Sequence, residues 1–156
     1  MFAATSILLT AYFALVLSLV QAESHTVSFN NKCGYGTPNL IVNGETLSSG
    51  ANYTSDGPLS GAIAYLQSGS CGDNGENCTL VETTLLNSIW GSSTDISLIS
   101  PHKFNEKTSF QYTNGCEDDG ATCTDEDCKD AFHAFYETFV QVACTADNVG
   151  LEISFC

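Results

Sequence analysis

From residue 25 to residue 33 the chain alternates, with Val27 and Phe29 on one side and Thr26 and Ser28 on the other, the period of a half-buried strand. Short runs of the same kind recur at Asn39–Val42, Ala62–Gln67, Leu80–Leu86, Asp95–Ile99, Thr108–Thr113, Thr138–Cys144 and Gly150–Cys156, with Gly, Asn, Ser and Asp between them. Those interruptions supply the turn conformations that consecutive strands need. Many short strands separated by turns, with no alternating helical periods, predict an all-β sandwich or barrel. One stretch departs from the pattern. Over 125–137 the aromatic residues Phe132, Phe135 and Tyr136, followed by Phe139, fall at helical spacing behind an acidic start. This predicts a short helix or an ordered loop, with the aromatic stripe as core.

Ahead of these strands lies an apolar run, Ile7–Val20, leading into the small-residue stretch around Ala22. It is shorter than the ~20 residues of a membrane-spanning helix, and reads as a signal peptide over 1–22, leaving one domain over 23–156. No membrane anchor is expected. All eight cysteines, Cys33, Cys71, Cys78, Cys116, Cys123, Cys128, Cys144 and Cys156, fall in that domain. An even set in an exported chain predicts four disulfides. The spacings lack the paired knuckles of a structural zinc site, so no metal is expected there.

Charge narrows the partners. The formal net charge is −14, with Lys32, Lys103, Lys107 and Lys129 as the only Lys or Arg residues. Nucleic acids and other polyanions are bound by Lys and Arg that replace counterions, so they are excluded as partners, and a neutral or cationic partner fits. Asn52-Tyr-Thr54 and Asn77-Cys-Thr79 are N-glycosylation acceptors, the second with a cysteine in its middle.

Several segments in order carry a family resemblance. They are Val27–Cys33 (VSFNNKC), Asn43–Gly50 (NGETLSSG), Thr79–Leu85 (TLVETTL), Asp95–Ile99 (DISLI) followed by Phe104-Asn105, Lys129–His133 (KDAFH) and Ile153–Cys156 (ISFC). Together they resemble the thaumatin-like proteins of plant defence and fungal secretomes. The resemblance implies a small member of that family, a β-sandwich without the large cysteine-rich insertion, which would fall between Cys123 and Cys128. It also implies the pairs Cys33 with Cys156, Cys71 with Cys78, Cys116 with Cys144, and Cys123 with Cys128. A first-to-last staple closing a loop of roughly a hundred residues would stabilise by about 4 to 5 kcal/mol in the chain-entropy model.

The same resemblance implies a carboxylate-lined cleft that binds, and weakly hydrolyses, β-1,3-glucan. The cleft glutamate falls on Glu82 and the aspartate on Asp95, with a third acidic position near Glu137. The family's cleft arginine falls near Ser68 and a further aspartate on Ser100, so this chain departs from the pattern at both. Two carboxylates are the minimum apparatus for glycoside hydrolysis, and Glu82 is cast as the acid with Asp95 as nucleophile or base. Trp90, Tyr65, Tyr53 and Tyr112 are candidates for stacking on sugar rings, with Trp90 and Tyr65 the leading ligand-binding choices beside Glu137. A secreted monomer without a cofactor, acting on β-glucan or another neutral polysaccharide, is therefore expected. Two other classes stand beside it. A non-catalytic extracellular, wall or defence protein needs only an exposed face. Cleavage after Ser24 would instead leave His25 terminal, and with His102 or His133 it would supply the nitrogen ligands of a copper-holding histidine brace.

Overall fold

A computed structural model describes residues 22–156. The expected signal peptide at 1–22 lies, all but its last residue, outside the described residues. Twelve strands form two mixed sheets, and no helix occurs among the described residues. One sheet has the order β4-β1-β12-β8-β9, from β1 (His25–Asn31), β4 (Tyr53–Ser55), β8 (Thr108–Thr113), β9 (Gly120–Cys123) and β12 (Gly150–Phe155). The other runs β10-β7-β6-β5-β2-β3, from β2 (Thr37–Val42), β3 (Glu45–Ser49), β5 (Leu59–Gln67), β6 (Leu80–Leu85), β7 (Ser92–Ser97) and β10 (Ala131–Phe132), with β11 (Val142–Cys144) also paired to β7.

Alternation explains the core. Leu40, Ala64, Val81, Leu85 and Ile96 of one sheet and Val27, Phe110, Leu151 and Ile153 of the other are buried in a single cluster between the sheets. Burial of that apolar surface drives the two layers together. The first and last strands, β1 and β12, pair in parallel, and Cys33–Cys156 staples them just beyond their ends. The other disulfides are Cys71–Cys78, Cys116–Cys144 and Cys123–Cys128, the set implied by the family resemblance.

The 125–137 segment is the ordered loop of the two expected forms, and its aromatic stripe is not core. Ala131 and Phe132 add a parallel rung to the edge of β7, where the Leu98 amide donates to the Phe132 carbonyl at 2.7 Å. Phe132 is thereby buried, while Phe135, Tyr136 and Phe139 point to solvent. The Cys123–Cys128 link and the pairing to β7 hold the chain extended across the sheet edge, so helical spacing has no helix to act through. Three further strands, β3, β4 and β9, are short and polar, and ladder hydrogen bonds rather than an apolar period define them. The run expected over Thr138–Cys144 is a strand only from Val142, leaving 138–141 as part of the loop over β7.

Candidate functional site

Pairing of β6 with β7 sets Glu82 directly opposite Asp95 and Thr83 opposite Thr94. Successive residues of a strand face opposite sides, so the threonines point into the sandwich and the two acids onto the outer face of the sheet. There the loop after β10 rises beside them and makes a cleft of about 540 Å³. Ile63 of β5, Glu82 and Thr84 of β6, and Ser93 and Asp95 of β7 form its floor. Phe132, Phe135, Glu137 and Gln141 form its wall.

The three acids differ in setting. Asp95 is only 6 % exposed, and its Oδ1 has no hydrogen-bond partner. Burial first, and then the Glu82 carboxylate beside it, push Asp95 from the usual carboxylate range up to about 7, against the opposing influence of Gln141. Both effects disfavour the ionised form, as desolvation and a like charge must. Glu137 is the opposite case. Its Oε2 accepts the backbone N–H groups of His133 at 2.7 Å and Ala134 at 3.1 Å, and these hold its carboxyl below the ordinary value. One cleft therefore contains a carboxyl biased toward its protonated form and another biased toward its anion.

Glu82, Asp95 and Glu137 are thus brought together, but the aromatic candidates are not. Tyr65 is 1 % exposed in a small apolar cluster with Ile41, Cys78 and Leu80, and its hydroxyl donates to the Asp73 carbonyl at 2.9 Å. The alternation of β5 directs it beneath the Cys71–Cys78 loop, so it has no face to offer a ligand. Tyr112 is buried in the core, with burial as the main cause raising it to about 12. Trp90 is 84 % exposed but sits on the turn before β7, and does not line the cleft. Ser68, where the family resemblance expects an arginine, instead lies near the Asn105 amide at 3.4 Å, and neither it nor Ser100 lines the cleft.

Phe135 takes the place expected for those aromatics, 88 % exposed at the cleft wall. Its position in the aromatic stripe marked it as core, and only the direction of the loop shows otherwise. Gln141 carried no signal in the sequence.

The copper alternative fails at its first ligand. His25 is fully buried, with Nδ1 2.8 Å from the Val149 carbonyl and Nε2 3.1 Å from Glu23 Oε1. Glu23 is itself anchored by the Asn87 amide, so residues 23–25 are built into the domain rather than left as a free terminus. His102 Nδ1 and His133 Nε2 bond other carbonyls, those of Gly75 and Cys128. Asn52 and Asn77 are both exposed, while Cys78 and Thr79 of the second acceptor motif are buried.

Against solved structures, the chain is similar to the thaumatin-like xylanase inhibitor TLXI, with a TM-score of 0.56 and 17 % identity over 85 % of this chain and 98 % of the inhibitor. The fold is thaumatin-like. The protein elicitor MoHrip2 from Magnaporthe oryzae is also similar, with a TM-score of 0.51 and 14 % identity over 86 % of this chain and 99 % of the elicitor. No family model matches the chain, and no curated protein matches it in sequence. Both neighbours are covered almost to their full length, so this thaumatin-like sandwich is of the same small size as theirs.

Proposed function

We propose that this protein is secreted, and that its cleft binds cell-wall β-1,3-glucan. The observation that carries the reading is the convergence of Glu82, Asp95 and Glu137 in one open cleft beside the exposed ring of Phe135. Carboxylate oxygens accept hydrogen bonds from sugar hydroxyls, and an exposed aromatic ring offers an apolar face to the C–H side of a sugar. The leader-like run at 1–22 and the four disulfides support export to the extracellular space or wall.

Weak hydrolysis is the second reading, and the contrast between Asp95 and Glu137 favours it. In this reading Asp95 is the acid held protonated toward neutral pH, and Glu137 is the carboxylate held ionised. Glu82 and Asp95 are nearest cross-strand neighbours, about 5 Å apart at Cβ, and crowd each other rather than straddle a sugar. Asp95 and Glu137 both line the cleft, one from β7 and the other from the loop after β10.

The test is incubation of the mature protein with insoluble β-1,3-glucan, scoring pelleted protein and released reducing sugar against a cellulose control. Pelleting that Asp95→Asn and Phe135→Ala weaken, and Trp90→Ala does not, is the expected outcome. Sugar release lost in both Asp95→Asn and Glu137→Gln would establish hydrolysis. Pelleting without release leaves a binding module, and a protein that stays in the supernatant would overturn the glucan reading.

A further inference from the structure

The acid pair on the cleft floor lacks something that such pairs normally have. Two carboxylates set directly opposite each other across antiparallel strands repel, and a buried carboxylate is ordinarily compensated by a cation or by donors. Here Asp95 Oδ1 is buried with no partner. None of the four lysines lines the cleft, and the chain has no arginine. Among the described residues, the one pairing of a carboxylate with a basic side chain is that of Glu23 with His25, elsewhere in the molecule. Gln141 carries the sole side-chain amide among the residues lining the cleft, and Oδ1 is still unpaired. A carboxyl oxygen that carries no proton can only accept hydrogen bonds, so the missing group must be a donor, and a cation there would also replace the proton that burial and the neighbouring Glu82 hold on Asp95.

We propose that the cleft is a site for a polysaccharide bearing protonated amines, a β-1,4-linked glucosamine polymer, with one ammonium group seated between Glu82 and Asp95 on the floor. This rests on the reading of the cleft as a saccharide site and names the sugar that fits it best. An ammonium group brings three donors, enough to reach Asp95 Oδ1 and a Glu82 oxygen together, where a neutral hydroxyl brings one. The aromatic wall suits the same ligand. Phe132 and Phe135 line the cleft, and aromatic rings attract a cation as well as the apolar side of a pyranose. The surrounding charge assists the encounter, since an acidic surface concentrates a polycation. An acetylated amine loses the charge and adds bulk, so chitin-type oligomers should be poor ligands. A lysine side chain carries the same ammonium group but no ring to lie against Phe135, and this separates a saccharide from a basic peptide.

Calorimetric titration of the mature protein at mildly acidic pH and ~0.15 M salt, where diffuse attraction is largely screened, provides the test. The ligands are the glucosamine hexamer, the N-acetylglucosamine hexamer, a β-1,3-glucan hexamer and hexalysine. The glucosamine hexamer should bind at least about tenfold tighter than each of the other three. Asp95→Asn and Glu82→Gln should each weaken that binding by roughly fivefold or more, as loss of a charge-assisted hydrogen bond does. A control carries Asp118→Asn with Glu152→Gln, which removes two acids from a shallow groove on the opposite sheet. It should stay within about twofold of the parent. Equal affinity for the acetylated hexamer or for hexalysine would overturn the proposal, as would an equal loss in the control, which would mean that net charge alone is at work. The glucan hexamer separates the two readings. Amine binding without glucan binding removes the β-1,3-glucan reading and keeps this one, and equal binding of both does the reverse.

Discussion

Two successive cross-strand pairs on β6 and β7 face opposite sides of one sheet and are satisfied to opposite degrees. Inside, Thr83 and Thr94 are both buried and their hydroxyls lie 2.7 Å apart. Tyr112 of the facing sheet completes that network, 3.1 Å from Thr94 Oγ1 and donating to the Val142 carbonyl at 2.9 Å. Each of these three hydroxyls has a partner, and the network ties the two sheets to β11. Outside, one residue along each strand, Glu82 and Asp95 meet as two acids that disfavour each other's ionisation, and Asp95 is left with an oxygen that nothing reaches. The inner pair contributes to stability, and the outer pair costs stability to keep two acids poised beneath an open cleft. Strain of this kind concentrates where a fold does its chemistry.

Breaking the inner pair should have the largest effect. Thr94→Val leaves Thr83 and Tyr112 each short of a buried partner, and should destabilise by about 1–3 kcal/mol in urea unfolding. The outer pair should respond with the opposite sign. Asp95 keeps a proton in the folded protein up to about 7, whereas the unfolded chain releases it near the ordinary 3.8. The folded state therefore binds more protons between those values, and stability falls as pH rises through that window. Asp95→Asn removes the penalty, so it should raise stability by on the order of 1–2 kcal/mol above pH 7 and by little near pH 4. Thermal melts at both pH values check this, and an equal gain at both would refute the assigned cause.

Smaller changes sharpen the contrast. Tyr112→Phe keeps the packing and removes one hydroxyl, and should cost about 1 kcal/mol, less than Thr94→Val because Thr94 and Thr83 still pair with each other. Phe135→Ala should change stability by less than about 0.5 kcal/mol, since the ring is largely exposed, while weakening saccharide binding in the same preparation. Loss of stability in that variant would return Phe135 to the core.

Legibility along the chain follows the range of the interactions. The strands Thr108–Thr113 and Gly150–Phe155 were evident because each alternates over its own length and needs no neighbour to define it. The aromatic stripe misled because spacing records a possible face but not whether anything covers it. Phe132 was captured by the edge of β7, and the next three rings were carried past it into solvent. Tyr65 and Trp90 failed as ligand candidates for complementary reasons. One aromatic is sealed under a disulfide loop, and the other is exposed but away from the cleft.

By itself the sequence determined the all-β class, most of the strands, the even set of cysteines, the acidic surface and, through the family resemblance, the acids of the cleft. These are properties of composition, of local period, or of motifs a few residues long. Only the tertiary structure decided that Glu82 and Asp95 are opposed across a ladder, that Asp95 is the buried member, that Glu137 is fixed by the amides of its own loop, and that His25 is walled into the domain. Each of these depends on register and on which segment covers which face. A one-residue change in the pairing of β6 with β7 would turn the acids inward and the threonines outward without altering a letter of the sequence.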